Sequence, residues 1–360
     1  PGIIIVFSTF IVIILGLSGY LIYDRRALYE GKHLFTSVFS RDFAYHVNNI
    51  FMVFASAVLL MAAFLPLFGG RTVGPTFYNR LAQPLGVAFL AVIAICPLLS
   101  WGKTSGQRFW RLSRIPAAVT LFAAYPLFIY WQSLESLLTT YNPTKELPVP
   151  GWVGYIGLLV AVFTIASVIQ VYVSKAYARG KSSGRGFLSG LASVFVDTPG
   201  QGGGFVTHLG MAILVIGLVG SYMYTVDIPK KFADKAGQKV EVADLSFHYK
   251  GLKTTSQGIN KDVYSTEFDI YMHGSTRKVG EIAPRIAFYK LQKQQTREVD
   301  IIYEPFRDVF IIFQGQNQDG SMQLDIKINP LISFVWAGSL LFVIGAVLAL
   351  WPRRALSQAK

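Results

Sequence analysis

Charge is what this sequence has least of. Asp, Glu, Lys and Arg together make up 15% of its 360 residues, where soluble domains carry about 25%. With 52% hydrophobic residues, neither a purely soluble globular protein nor a disordered or collagen-like chain fits. Cysteine is limited to Cys96, which excludes a disulfide framework, a CxxC redox pair and a thiolate zinc site within the chain. The chain opens on Pro1 rather than Met, as expected of a clipped chain or a piece of a longer one.

Long uncharged runs are what it has instead. A membrane span needs about 20 mostly apolar residues, and seven stretches qualify: 2–23, 47–68, 82–101, 115–133, 151–174, 204–224 and 331–351. None holds Asp, Glu, Lys or Arg. The first lacks a basic flank before it and a small-residue cleavage site after it, so it reads as a span rather than a signal peptide. Arg25, Arg26, Lys32 and Arg41 follow the first span, Lys103, Arg108, Arg111 and Arg114 the third, and Lys175, Arg179, Lys181 and Arg185 the fifth. Arg353, Arg354 and Lys360 follow the seventh, while the opposite short loops hold only Arg71, Arg80 and Lys145. Alternating basic loops put the N-terminus outside and the C-terminus in the cytoplasm.

The expected organisation is a membrane domain of six helices over 1–226, a β domain over 227–328, and a last helix with a cytoplasmic tail over 329–360. The fold class is therefore an α-helical polytopic membrane protein, about seven transmembrane helices, with an inserted extracytoplasmic all-β domain. Residues 227–328 hold 15 basic and 14 acidic side chains out of a chain total of +13, so the excess charge lies in the loops and nucleic-acid binding loses its support. Val240, Val242, Leu245, Phe247 and Tyr249 read as one apolar series with a slip of register. Phe268, Ile270 and Met272 alternate with polar residues. Further short strands are expected at 297–303, 309–314 and 323–328, punctuated by glycines and Asp319-Gly320. About seven strands in this length suit a small barrel or sandwich.

Among the residues that carry chemistry, His208 is the one ionisable side chain well inside an expected span, roughly 6 Å deep at 1.5 Å per residue. Ionisable groups in membranes are costly and mark function. A neutral imidazole suits haem iron, a quinone or a proton path; the structural alternative is a hydrogen bond to a neighbouring helix. Gly204, Gly210 and Gly217 share its span at a spacing that suits close helix packing, or else the close approach of a flat macrocycle. His46, before Asn48 and Asn49, is either a second ligand or an interfacial cap. His33, His248 and His273 match no metal spacing and read as surface residues. The run 200–204 lacks the Walker lysine and hydroxyl and reads as a flexible entry to a helix. Cys96 beside Pro97 reads as packing. The outer loop 69–80 is rich in turn residues and aromatics. Its Arg71 and Arg80 could meet an anionic group such as a haem propionate, or membrane headgroups. The uncharged spans count against a transporter, and a non-catalytic scaffold docking partners through its β domain stays open.

Several short runs, in order, carry a resemblance. They are Ser40-Arg41-Asp42 leading to Asn48-Asn49, Phe64-Leu65-Pro66-Leu67-Phe68 with the run 73–79, and Thr207-His208-Leu209-Gly210. In the β stretch follow 249–258, 284–289, Thr296-Arg297-Glu298 and Arg307-Asp308-Val309-Phe310, then Asn329-Pro330 through Trp336-Ala337-Gly338. Together they resemble the C-terminal part of the CcmF family of cytochrome c maturation haem lyases. The family's tryptophan-rich haem-handling segment has no counterpart among the six Trp. The resemblance implies that His208 is an axial ligand to a b-type haem, with the other axial histidine in the missing half. It implies a thioether-forming haem lyase that works only within a larger chain or complex. The implied partners are that missing half, the haem chaperone CcmE, apocytochrome c with its CxxCH thiols, and the thiol-handling protein CcmH. Quinol is among the implied electron donors, and the implied location is the bacterial inner membrane.

The loop charges generate a topology expectation: reporter fusions within 227–328 report from outside the cytoplasm. Protease protection of that stretch in right-side-out spheroplasts would reverse the orientation.

Overall fold

A computed structural model of the chain describes residues 2–29, 35–65, 72–147, 149–257 and 259–351. The helices are α1 (Gly2–Asp24), the short α2 (Arg26–Tyr29), α3 (Arg41–Phe64), α4 (Pro75–Ile95), α5 (Gly106–Tyr141), α6 (Gly151–Ser183), α7 (Gly186–Val196), α8 (Pro199–Leu218) and, after all the strands, α9 (Ile332–Leu350). Among the described residues six helices are long and apolar enough to cross a membrane: α3, α4 with the 3-10 turn Cys96–Leu98, α5, α6, α8 with the π turn Val219–Met223, and α9. The expected seventh, α1, is an apolar helix of 23 residues, Gly2–Asp24, and is not among these six.

Helix ends differ from the sequence expectation where polar residues extend an apolar core. α5 runs 36 residues, about 54 Å, well past the expected 115–133, because Glu135 and Thr139 continue it beyond the bilayer's thickness. α4 starts at Pro75, whose fixed φ suits a first helical position, so half of the expected outer loop is helix. α3 starts at Arg41 with the Ser40 hydroxyl capping the Phe43 amide at 3.1 Å; His46 caps nothing. The glycine run 200–204 is the first turn of α8 rather than a flexible entry. α7 has 11 residues and was hidden in an expected loop.

Between α8 and α9 the described residues form ten strands: β1 (Val226–Ala233), β2 (Lys239–Val242), β3 (Leu245–Gln257), β4 (Lys261–Met272), β5 (Lys278–Ile282), β6 (Arg285–Tyr289), β7 (Gln294–Glu298), β8 (Asp300–Glu304), β9 (Arg307–Gln316) and β10 (Ser321–Pro330). One sheet has the order β1-β10-β9-β8 and the other β2-β3-β4-β6-β7, with β5 also on β4. The result is a sandwich. The slip read within 240–249 is a two-residue hairpin turn: Val242 pairs with Leu245 and Val240 with Phe247, and Ala243 takes a φ of 53°. Likewise the run 297–303 divides between β7 and β8, one in each sheet. The core follows the period of two. Met322, Leu324, Ile326 and Ile328 of β10 face inward with Val309, Ile311 and Phe313 of β9, against Phe247, Tyr249, Phe268 and Ile270 of the other sheet.

Two contacts organise the molecule, the first between sandwich and helices and the second within the helical layer. The end of α5 docks on β1 and on the β2–β3 turn. Asn142 exchanges two 2.8 Å bonds with the Asp227 backbone, and the Tyr141 hydroxyl accepts the Ala243 amide at 2.7 Å. Nearby, Trp131 Nε1–H donates to the Tyr224 hydroxyl at 2.8 Å, which donates to Glu135 at 2.8 Å. Burial pulls the Lys145 ammonium below its usual pKa in this seam, where it donates to the Thr225 carbonyl.

The second contact is the α8–α9 pair. A Cβ on Gly203, Gly210 or Gly217 would run into the α9 backbone at Ala349, Phe342 or Val335. One on Gly338 or Gly345 would run into α8 at Leu214 or Thr207. The close-packing stripe is thus Gly203, Gly210 and Gly217; Gly204 faces open space. Gly210→Leu is expected to destabilise the chain by about 3 kcal/mol in an SDS-unfolding titration, as overpacking against backbone does. Gly86→Ala, where an added Cβ meets nothing within 4 Å, stays within about 0.5 kcal/mol of wild type. Equal losses would show that the glycine contact carries no stability.

Candidate functional site: the His208 cavity

α8 turns one face to α9 and the adjoining face to α3 and α4. His208 is on the second. α8 begins at Pro199, so His208 lies about 14 Å along the helix from its start. Its Nδ1–H donates to the Gly204 carbonyl one turn earlier, at 2.7 Å. A carbonyl only accepts, so Nδ1 holds the proton and Nε2 keeps its lone pair. The bond is to its own helix and leaves the other ring nitrogen, Nε2, free.

His208 lies where two cavities meet. The first, about 390 Å³, runs between α3, α4, α8 and α9. It is lined by Ala44, Met52, Phe89, Val92, Met211 and Phe342, with Tyr45, Asn48, Cys96 and His208 at its edge. The second, about 230 Å³, opens at the end of the helices away from the sandwich and is far more polar. Arg41, Lys175, Trp101, Gln201 and Phe205 line it, and Tyr45, Cys96 and His208 are common to both.

The polar cavity is built by the turn after α4, which folds over the start of α3. Arg41 N–H donates to Ser100 O and Thr104 N–H to Phe39 O, both at 2.9 Å, and Gly102 N–H donates to Asp42 at 2.7 Å. Arg41 Nη2 reaches the Leu99 carbonyl at 2.8 Å and the Pro97 carbonyl at 3.4 Å. Its guanidinium lies 5.4 Å from the Trp101 ring centroid, and Tyr45 stacks on that ring. Arg41 Nε is buried without an acceptor. Another cavity, of about 260 Å³, lies toward the sandwich end and is lined by Gln83, Asn79 and Tyr222. It contains no charged or imidazole group.

The remaining candidates are elsewhere. His46 lies beside Phe35, 5.8 Å between ring centroids, and lines neither cavity. Arg80 is exposed on α4 and does not approach His208; Arg71 and His33 lie outside the described residues. His248 lies against Tyr271 with the rings tilted, 4.5 Å between centroids, and His273 lies 3.5 Å from Glu241, both within the sandwich. Asp308, at the sandwich base, is buried with Oδ1 unpartnered, and burial pushes its carboxyl above the usual range. Arg41, Lys175, Tyr45 and Cys96 were not legible as site residues. Arg41 and Lys175 read as loop charges that set orientation; the one available signal was the place of Arg41 within the run Ser40-Arg41-Asp42.

Residues 226–330 match the family model described as the CcmF C-terminal beta-sandwich. The chain is 23% identical over 333 residues to the cytochrome c-type biogenesis protein CcmF of Pseudomonas aeruginosa strain PAO1, covering 90% of this chain and 46% of that one. It is 22% identical over 351 residues to CcmF of Escherichia coli strain K12, covering 96% and 49%. This chain is similar to the C-terminal part of CcmF. It spans about half the length of the CcmF relatives it matches. A solved structure, cytochrome c heme lyase CcmF, superposes with a TM-score of 0.62 at 18% identity, covering 88% of this chain and 46% of that one. The helices and sandwich therefore share the CcmF fold.

Proposed function

We propose that this chain is the haem-b-holding membrane part of a cytochrome c haem lyase, in which His208 Nε2 would ligate the haem iron. The observation that carries the proposal is that free ring nitrogen, fixed by the Gly204 bond and turned to an apolar cavity between four helices. Similarity to CcmF supplies the chemistry that such a nitrogen would serve.

The residues present fit a b-type haem. An apolar lining of Met52, Phe89, Val92 and Met211 suits a macrocycle, and a neutral imidazole suits its iron. When bound, the group supplies a one-electron couple, through which a donor such as quinol keeps the haem destined for apocytochrome c ferrous. His208 holds the iron side, and its carbonyl partner fixes the tautomer and ring direction. The α3, α4 and α9 side chains exclude water. The second histidine that would hold the iron and the tryptophan-rich haem-handling segment belong, on this reading, to the other half of the lyase. There, CxxCH thiols of an apocytochrome presented with CcmH add to the vinyl groups of haem delivered by CcmE.

The orientation follows the same reading, with the sandwich outside the cytoplasm of a bacterial inner membrane. Arg108, Arg111 and Arg114 at the start of α5, and Arg179, Lys181 and Arg185 around the end of α6, lie at the helix ends away from the sandwich. Basic residues concentrate on the cytoplasmic side of membrane proteins.

Replacing His208 with Ala removes one ligand and keeps the span apolar, so insertion persists. The lyase assembly is expected to lose haem b or shift from a low-spin to a high-spin absorption spectrum, while His46→Ala keeps the wild-type spectrum. A wild-type low-spin spectrum in His208→Ala would reject His208 as ligand. In a second test, this chain alone with haem, reductant and apocytochrome is expected to form no thioether. Covalent haem on the cytochrome, read as a haem-stained band after denaturing electrophoresis, would reject the assignment of bond formation to the other half.

A further inference from the structure

We infer that Arg41 and Lys175 form a cationic clamp for the carboxylates of the tetrapyrrole held at His208. The inference rests on the haem reading above and goes beyond it, because it assigns the polar cavity.

Arg41 has one structural duty. Its Nη2 caps the Leu99 and Pro97 carbonyls, which helix geometry leaves without amide partners at the end of α4. That accounts for one nitrogen only, and Nε remains buried with no acceptor. A charged N–H in that state is costly unless something fills the gap. Lys175 lines the same cavity from α6. Its Nζ lies 5.1 Å from the Phe205 ring centroid, and no carboxylate among the described residues lies within 4.0 Å of it. The adjacent acidic group, Asp42, already accepts the Gly102 amide. Arg108 and Arg179 add further positive potential at Lys175. Cations gathered with no counterion among the described residues at the edge of a membrane cavity call for an anion.

The cavity that joins this one defines the rest of the ligand. His208, Tyr45 and Cys96 line both spaces, so one molecule with an apolar body and an acidic edge fills them together. An inorganic anion has no such body. A dicarboxylate tetrapyrrole has the body, the metal for Nε2 and the two carboxylates. A lipid phosphate offers the same charge from a different source.

The test uses the full chain with its lyase partner in nanodiscs of neutral lipid, titrated with haem and with haem dimethyl ester and read by absorption. Wild type is expected to bind haem roughly tenfold or more tighter than the ester. Lys175→Gln, which removes no hydrogen bond seen in the structure, is expected to lose roughly tenfold in haem affinity and to leave ester affinity unchanged. Arg41→Gln is judged by the ratio of the two affinities, because loss of its capping role weakens both ligands alike. Equal affinities of wild type for the two haems, with a His208-dependent spectrum, would overturn the clamp alone. Absence of any His208-dependent spectrum with either ligand would overturn the haem reading itself. If phosphatidylglycerol in the nanodiscs erases the difference between haem and ester, the cations serve lipid phosphate and the proposal falls.

Discussion

The backbone contact between α8 and α9 is the constraint on which the remaining geometry depends. Inside a bilayer, apolar surface gains nothing by leaving lipid for protein, so helices associate through close packing. Gly203, Gly210 and Gly217 recur every seven residues, and Gly338 and Gly345 answer them on the antiparallel partner. With no side chain at these points the two backbones touch. Residues of α8 off that seam are then fixed in direction: one face is used up on α9, and the adjoining face, with His208, Met211 and Val215, looks toward α3, α4 and α6. Ala212 packs with Leu90 and Ala161 in a small core on that side.

The histidine's chemistry follows from the same helix. Glycine at 204 leaves its own carbonyl unobstructed, and the i−4 bond takes Nδ1 out of play. Nε2 is the one nitrogen left to meet a ligand. The polar cavity arises differently, from the end of α4. There the 3-10 turn and Pro97 leave carbonyls unpaired, and Arg41 is drawn in from α3 to meet them. The same guanidinium thus closes a helix end and charges the mouth of the site. A structural need and a binding role share one side chain, and its unsatisfied Nε marks where the first stops short.

Much of this was legible in the sequence. Uncharged runs of spanning length located the helices, because nothing soluble tolerates them. The period of two in Phe268, Ile270 and Met272 showed β structure before any pairing was known. His208 stood out because ionisable groups are so rare in such runs. What stayed hidden depended on tertiary context. The hairpin at Ala243-Asp244 looked like a slip, since Ala243 is not a usual turn former and no glycine follows Asp244; the pairing of Val242 with Leu245 reveals it. α7 is too short and too close to basic residues to separate from a loop. Arg41 and Lys175 are distant in sequence and look like any charges flanking a span. Only the folding of 96–104 over α3 brings them to one cavity.

β1 leaves α8 and β10 enters α9, and those two strands pair with each other, Val226 opposite Ile328. The partners that touch through glycine in the helical layer therefore continue as hydrogen-bonded partners in the sheet. Topologically the sandwich is the loop of a helical hairpin, swollen to about a hundred residues with its two ends side by side. Such an insert can grow, shrink or change its surface without altering the spacing of the helices beneath it. What the sandwich touches can then change while His208 stays where it is.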